Sequence, residues 1–152
     1  MSASRRPLLL FPLSLMVLLA GCVTNPYLAP PDVASPPANA TVLPDGLAYQ
    51  VLASGTGSVH PTLDSVVTVN YTGWTTDGRK FDSTVNPDGT KTPVTLPPLN
   101  KLIQGWQEIV PLMVAGERVR VWIPGMLAYD NSNRPGAPKG MLVFDIELLS
   151  FK

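Results

Sequence analysis

Val67-Thr68-Val69-Asn70-Tyr71-Thr72 places an apolar residue at every second position, with a polar one between each pair. Side chains alternate faces along an extended chain, so this period of two predicts a half-buried β-strand. The pattern recurs twice downstream. Val119, Val121 and Ile123 alternate with Arg118, Arg120 and Trp122, and Pro124-Gly125 stops that run. Leu142, Phe144, Ile146 and Leu148 alternate with Val143, Asp145 and Glu147. Shorter extended pieces are expected at 47–52, 79–81 and 94–96. They are divided by the turn signals Pro44-Asp45-Gly46, Asp77-Gly78 and Pro87-Asp88-Gly89. Only Gly105 to Val110 reads as helix, about two turns long, with Pro111 expected to end it. Strands around one short helix make an α+β domain with a mostly antiparallel sheet.

Outward from these strands the chain changes character. Residues 23–44 are rich in Pro and Ala, including Pro26, Pro30, Pro31, Pro36, Pro37 and Pro44, and show no apolar period. Proline removes donors and favours extended backbone, so this reads as a semi-rigid spacer. Upstream, Arg5 and Arg6 precede the apolar run Leu8 to Leu19, the layout of an export signal. The run is short for a membrane span, which needs about 20 apolar residues. Leu19-Ala20-Gly21-Cys22 resembles the bacterial lipobox, whose cysteine is acylated and becomes the new N-terminus. Cys22 is the only cysteine among 152 residues, so no intramolecular disulfide can form. Lipidation accounts for it. Val23 rather than Asp after the cysteine points to the outer membrane.

Charge and composition exclude several functions. Loss of Arg5 and Arg6 leaves nine basic residues against eleven acidic ones, which gives no electrostatic case for nucleic acid. His60 is the only histidine and sits beside Pro61, so neither a histidine triad nor a metal cluster is expected. No phosphate loop or dinucleotide fingerprint occurs. Asp145 and Glu147 read as a solvated edge rather than a carboxylate pair. No cofactor and no metal are expected.

Six segments, in order, then carry a resemblance: Val69-Asn70-Tyr71-Thr72-Gly73, Asp77 to Ser83, Leu102-Ile103-Gln104-Gly105-Trp106, Ala115-Gly116-Glu117, Leu127-Ala128-Tyr129 and Leu142 to Leu149. Together they resemble the signature of FKBP-type peptidyl-prolyl cis-trans isomerases over about residues 41–152. The resemblance implies a curved antiparallel sheet of five or six strands wrapped around one short helix. Its implied catalytic set is Asp82, Tyr129, Trp106 and Tyr71, with Phe81, Leu102, Ile103 and Phe144 binding substrate. Trp106 would floor a pocket under the proline ring. The Tyr129 hydroxyl and the Ile103 N–H would hold substrate carbonyls, and Asp82, supported by Tyr71, would stand near the twisting amide. Pattern alone makes Tyr71, Phe144 and Trp106 core aromatics, and makes Asp82 a turn cap.

Four departures from the family pattern stand out. Asp130 replaces a glycine, the loop from Arg134 to Met141 is short, Leu96 replaces an aromatic, and Lys101 is unusually basic. The expected organisation is a signal peptide over 1–21, a lipidated Cys22 with its tether over 22–40, and an isomerase domain over 41–152. The expected protein is a lipid-anchored monomer of the bacterial envelope, at the outer membrane, acting on proline-containing polypeptides. The alternative is a tethered FKBP-fold binding or holdase module with little turnover.

Overall fold

The computed structural model describes residues 28–152. The signal peptide and Cys22 lie outside the described residues. In chain order the strands are β1 (Thr41–Val42), β2 (Ala48–Ala53), β3 (Val67–Thr75), β4 (Lys80–Ser83) and β5 (Val94–Thr95). The helix α1 (Gln104–Ile109) follows, then β6 (Arg118–Ile123) and β7 (Leu142–Phe151). They form one antiparallel sheet in the order β1-β2-β6-β7-β3-β4. The two-residue β5 shares the outer edge of β3 with β4. Six strands therefore run across the sheet, as expected, with β5 as a short addition.

Alternation decides which face is the core. Val67 and Val69 from β3, Val119, Val121 and Ile123 from β6, and Leu142, Phe144, Ile146 and Leu148 from β7 form one buried cluster with Trp106 and Ile109 of α1. The helix lies close against the sheet at Gly105. A Cβ there would run into the Ile123 side chain, with Ile123 Cδ1 only 2.8 Å away. The α-helix ends before Pro111, as expected, at Ile109. After Ile109 the chain tightens into a 3₁₀ turn over Val110–Leu112, in which proline stands near the start. The N–H of a first-turn residue has no acceptor within the helix, so Pro111, which lacks that N–H, fits there.

The opposite face of the sheet corrects two expectations. Asp145 and Glu147 are not on an edge, because β7 runs between β6 and β3. Asp145 accepts hydrogen bonds from Arg120 Nε at 2.7 Å and Nη2 at 2.9 Å, across the register pair Arg120 and Asp145. Glu147 receives Asn70 Nδ2 at 3.1 Å and Lys91 Nζ at 2.6 Å.

The second correction concerns the Pro/Ala-rich spacer, part of which packs on the domain. Trp122, fully buried although it alternates onto the polar side of β6, forms a small cluster with Trp74, Val143, Ala48 and Val33. Ala29 and Ala40 pack beside it. Trp122 Nε1 donates to the Asp32 carbonyl at 2.9 Å, and Arg120 Nη1 meets Asp32 Oδ1 at 2.7 Å. Burial opposes the Arg120 charge, but its hydrogen bond to Asp145 and the charges of Asp145 and Asp32 hold it above its ordinary pKa. The docked segment is built of turns rather than extended chain, with the Val33 N–H on the Pro30 carbonyl at 3.1 Å and the Ala40 N–H on the Pro37 carbonyl at 2.9 Å. Proline suits such turns as well as it suits a spacer.

A chain that begins at residue 41 should accordingly be less stable than one that begins at residue 28. It loses the burial of Val33 and uncovers Trp122, a difference of about 2 kcal/mol once the cost of ordering the segment is subtracted. Urea midpoints of the two chains test this. Equal midpoints would show that the docked segment contributes nothing.

Candidate functional site

The concave face ends in an aromatic cluster. Tyr71 on β3 and Phe144 on β7 project from neighbouring strands, and Gly73 pairs in register with Phe144. The missing side chain at Gly73 is what lets Phe81 reach over the sheet. A Cβ at that position would stand 2.7 Å from Phe81 Cζ and 2.8 Å from Phe144 Cε1. Phe81 instead meets Phe144 edge to face at 5.5 Å. Trp106, at the start of α1, closes the cluster from the helix side. It stands edge to face on Tyr71 at 5.4 Å and on Phe144 at 5.6 Å. Such T-shaped pairs contribute roughly 0.5–1.5 kcal/mol each beyond their burial, so the rings fix one another.

Above Trp106 these rings enclose an open pocket of about 210 Å³. Pockets for drug-sized ligands run from roughly 300 to 1,000 Å³, so this one suits a single ring and its immediate neighbours. All eight residues expected at the site line it: Tyr71, Phe81, Asp82, Leu102, Ile103, Trp106, Tyr129 and Phe144. Leu96, Lys101 and Arg134 line it too. The first two stand out in the sequence only as departures. No motif marks Arg134 as part of a site, because it comes from an irregular loop.

Polar groups at the rim divide into spent and unspent. The Tyr71 hydroxyl donates to Asp82 Oδ2 at 2.5 Å, and the other carboxylate oxygen accepts the Ser83 N–H at 2.9 Å. Burial first, then the hydrogen bond and charge of Asp82, push the Tyr71 pKa well above the ordinary tyrosine range. Tyr71 therefore stays protonated and pins Asp82. Among the described residues, neither the Tyr129 hydroxyl nor the Ile103 N–H is used in a hydrogen bond. Ile103 is extended and caps α1 only through its carbonyl, which accepts the N–H groups of Trp106 and Gln107. Two donors thus stand free at an apolar pocket.

The short loop after Tyr129 is held firmly. Lys139 Nζ donates to the carbonyls of Tyr129 at 2.6 Å, Ser132 at 2.8 Å and Asp130 at 3.2 Å. Asp130 Oδ1 accepts the Gly140 N–H at 2.7 Å, and its carboxylate lies over Gly125, where no side chain competes for the space. No non-glycine residue among those described has a positive φ, so Asp130 needs no glycine conformation. Pro135, Ala137 and Pro138 of this loop do not line the pocket. With Phe81, Asp82, Tyr129 and Arg134 they line an adjoining hollow of about 190 Å³. His60 lies elsewhere, its Nδ1 hydrogen-bonded to the Met113 carbonyl at 3.0 Å. Among the described residues no group of three His, Cys, Asp or Glu could hold a metal, and no helix is long and apolar enough to cross a membrane.

Residues 57–149 match the family described as FKBP-type peptidyl-prolyl cis-trans isomerase. The chain belongs to this family. It is 44% identical over 108 residues to "FKBP-type peptidyl-prolyl cis-trans isomerase FkpA" of Aeromonas hydrophila, covering 70% of this chain and 38% of that protein. It is 40% identical over 113 residues to "Outer membrane protein MIP" of Legionella longbeachae, covering 73% of this chain and 46% of that one. The chain thus spans less than half the length of these two relatives. The crystal structure of FkpA from Escherichia coli superimposes with a TM-score of 0.66 at 34% identity, covering 76% of this chain and 53% of that chain. The family match, over residues 57–149, includes every residue that lines the pocket, from Tyr71 to Phe144.

Proposed function

We propose that the chain is a peptidyl-prolyl cis-trans isomerase that accelerates folding of exported polypeptides through their X-Pro bonds. The observation that carries this is the pocket over Trp106: aromatic on floor and walls, with two uncommitted donors at its rim. Rotation about a peptide C–N bond faces ~18–20 kcal/mol because resonance must be broken, and uncatalysed X-Pro exchange takes tens to hundreds of seconds. A dry aromatic pocket disfavours the charge-separated planar amide, while shape and a few hydrogen bonds favour the twisted one. Trp106 lies under the proline ring, and Phe81 and Phe144 wall it in. Tyr129 Oη and the Ile103 N–H hold the flanking carbonyls. Asp82, fixed by Tyr71, presents its carboxylate beside the rotating amide. No covalent step is needed. About 4 kcal/mol of preferential binding to the twisted amide gives roughly a thousandfold acceleration.

Tyr129→Phe tests this assignment. The hydroxyl has no partner among the described residues, so its loss should leave thermal stability unchanged. It should still lower kcat/KM for X-Pro peptides a fewfold, corresponding to about 1 kcal/mol. Unchanged kcat/KM would remove Tyr129 from the site.

The same proposal places the domain in the bacterial envelope, as a monomer anchored at the outer membrane through acylated Cys22 after removal of residues 1–21. The signal layout, the lipobox and the name of the Legionella relative, an outer membrane protein, support this. Lipid burial is worth about 0.8 kcal/mol per methylene, so multiple chains at one cysteine make a permanent anchor. Labelled palmitate should enter the wild type and not Cys22→Ser, which should also leave the membrane fraction. Equal labelling of the two would refute the anchor.

A further inference from the structure

Two cations stand at the pocket without partners. Lys101 and Arg134 both line it, both are exposed, and neither side chain makes a hydrogen bond or ion pair among the described residues. The only acidic side chain in the lining is Asp82, whose two oxygens are already taken by Tyr71 and Ser83. Lys139, the remaining cation of the loop, spends its ammonium on three backbone carbonyls. The rim is therefore net positive around an apolar floor.

Both cations sit on ordered backbone. Lys101 closes the 3₁₀ turn Leu99–Lys101, directly before Leu102 and Ile103, and its N–H bonds the Pro98 carbonyl at 2.8 Å. Arg134 rides on the loop pinned by Lys139 and lines both hollows, together with Phe81, Asp82 and Tyr129. A peptide seated with its proline over Trp106 and continuing into the second hollow must pass Arg134. Lys101 lines the first hollow alone, beside the Ile103 N–H that receives a substrate carbonyl.

We propose that Lys101 and Arg134 are specificity-determining residues that give the pocket a preference for X-Pro segments carrying a carboxylate beside the proline. This rests on the isomerase reading of the same site and goes beyond it by naming the substrate class. Exposed ion pairs are individually weak, but attraction for an acidic residue and repulsion of a basic one act in the same direction. Together they make a difference of about fivefold between otherwise equal peptides.

Peptides Ala-X-Pro-Phe and Ala-Leu-Pro-X, with X as Glu, Gln or Lys, test this, each rate taken relative to the uncatalysed exchange of the same peptide. In at least one of the two positions, kcat/KM should fall in the order Glu, Gln, Lys, with about fivefold between the ends at low salt. The spread should close toward unity near 1 M salt, where the Debye length is about 3 Å. In K101E/R134E the order should invert, and because the ratio is internal to each protein it does not depend on the folded fraction. Equal rates for Glu and Lys peptides in an enzyme that turns over Ala-Leu-Pro-Phe would overturn the inference and leave the isomerase standing. So would a Glu preference that persists in K101E/R134E. Turnover of no peptide at all would remove the isomerase reading and this inference with it.

Discussion

Replacing Trp106 by leucine is expected to lower kcat/KM for an X-Pro peptide by about thirtyfold, the equivalent of roughly 2 kcal/mol of apolar contact with the proline ring. Trp106 is 4% exposed and makes edge-to-face contacts with Tyr71 and Phe144, so the substitution also costs stability. The two effects are separable. Activity is measured at a temperature where the variant is fully folded, as judged by its unfolding curve, and His60→Ala serves as a control away from the pocket. A folded Trp106→Leu protein with full activity would reduce Trp106 to a core residue and unseat the assigned site.

The second large effect is expected at Gly105. Alanine in place of glycine gains about 1 kcal/mol of helix propensity. Against this, its Cβ would press into Ile123, a fully buried residue, meeting Cγ2 most closely, then Cδ1 at 2.8 Å and Cγ1 at 2.9 Å. Overpacking of this kind costs ~1–3 kcal/mol or more, and here the close atoms are the branches of a side chain that has nowhere to go. We expect a net loss of about 2 kcal/mol, which for a domain of this size lowers Tm by about 10 °C. Because α1 carries Trp106, the displaced helix should also lower kcat/KM. Ile123→Ala removes all three of the close atoms, Cγ2, Cγ1 and Cδ1, so Gly105→Ala should cost less in that background than in the wild type. Equal costs in both backgrounds would show that the two residues do not compete for space.

The long strands were legible because most of each is buried on one face only, the exceptions being Trp74, Trp122 and Val143 on the second face. Period two survives in β3, β6 and β7, where the core side is aliphatic and the other side polar. What could not be read was how the polar side is used. Asp145 and Glu147 look like an exposed edge until the topology sets β7 between two neighbours and pairs them with Arg120 and Lys91. Trp122 on the polar side of β6 was a signal that something covers that face. The cover itself could not be read, because it consists of Val33, two alanines, and the carbonyl and carboxylate of Asp32, within a run whose composition suggests a spacer.

The site divides in the same way. Periodicity reduces Tyr71, Phe144 and Trp106 to core residues, and only the likeness of six ordered segments to FKBP isomerases marks them as one pocket. The structure does bring all eight named residues together. Arg134 escaped notice because a loop position carries no period and its place depends on Lys139 folding the loop back.

The most direct test of the account is cis-trans exchange of Ala-Leu-Pro-Phe, followed by exchange NMR with a substoichiometric amount of the protein. The uncatalysed peptide interconverts over tens to hundreds of seconds. With the wild-type protein present, exchange cross-peaks should appear on a timescale of about a second or less, and Trp106→Leu should lose most of that acceleration. An exchange rate indistinguishable from that of the free peptide, in a sample shown to be folded, would contradict the account at its centre.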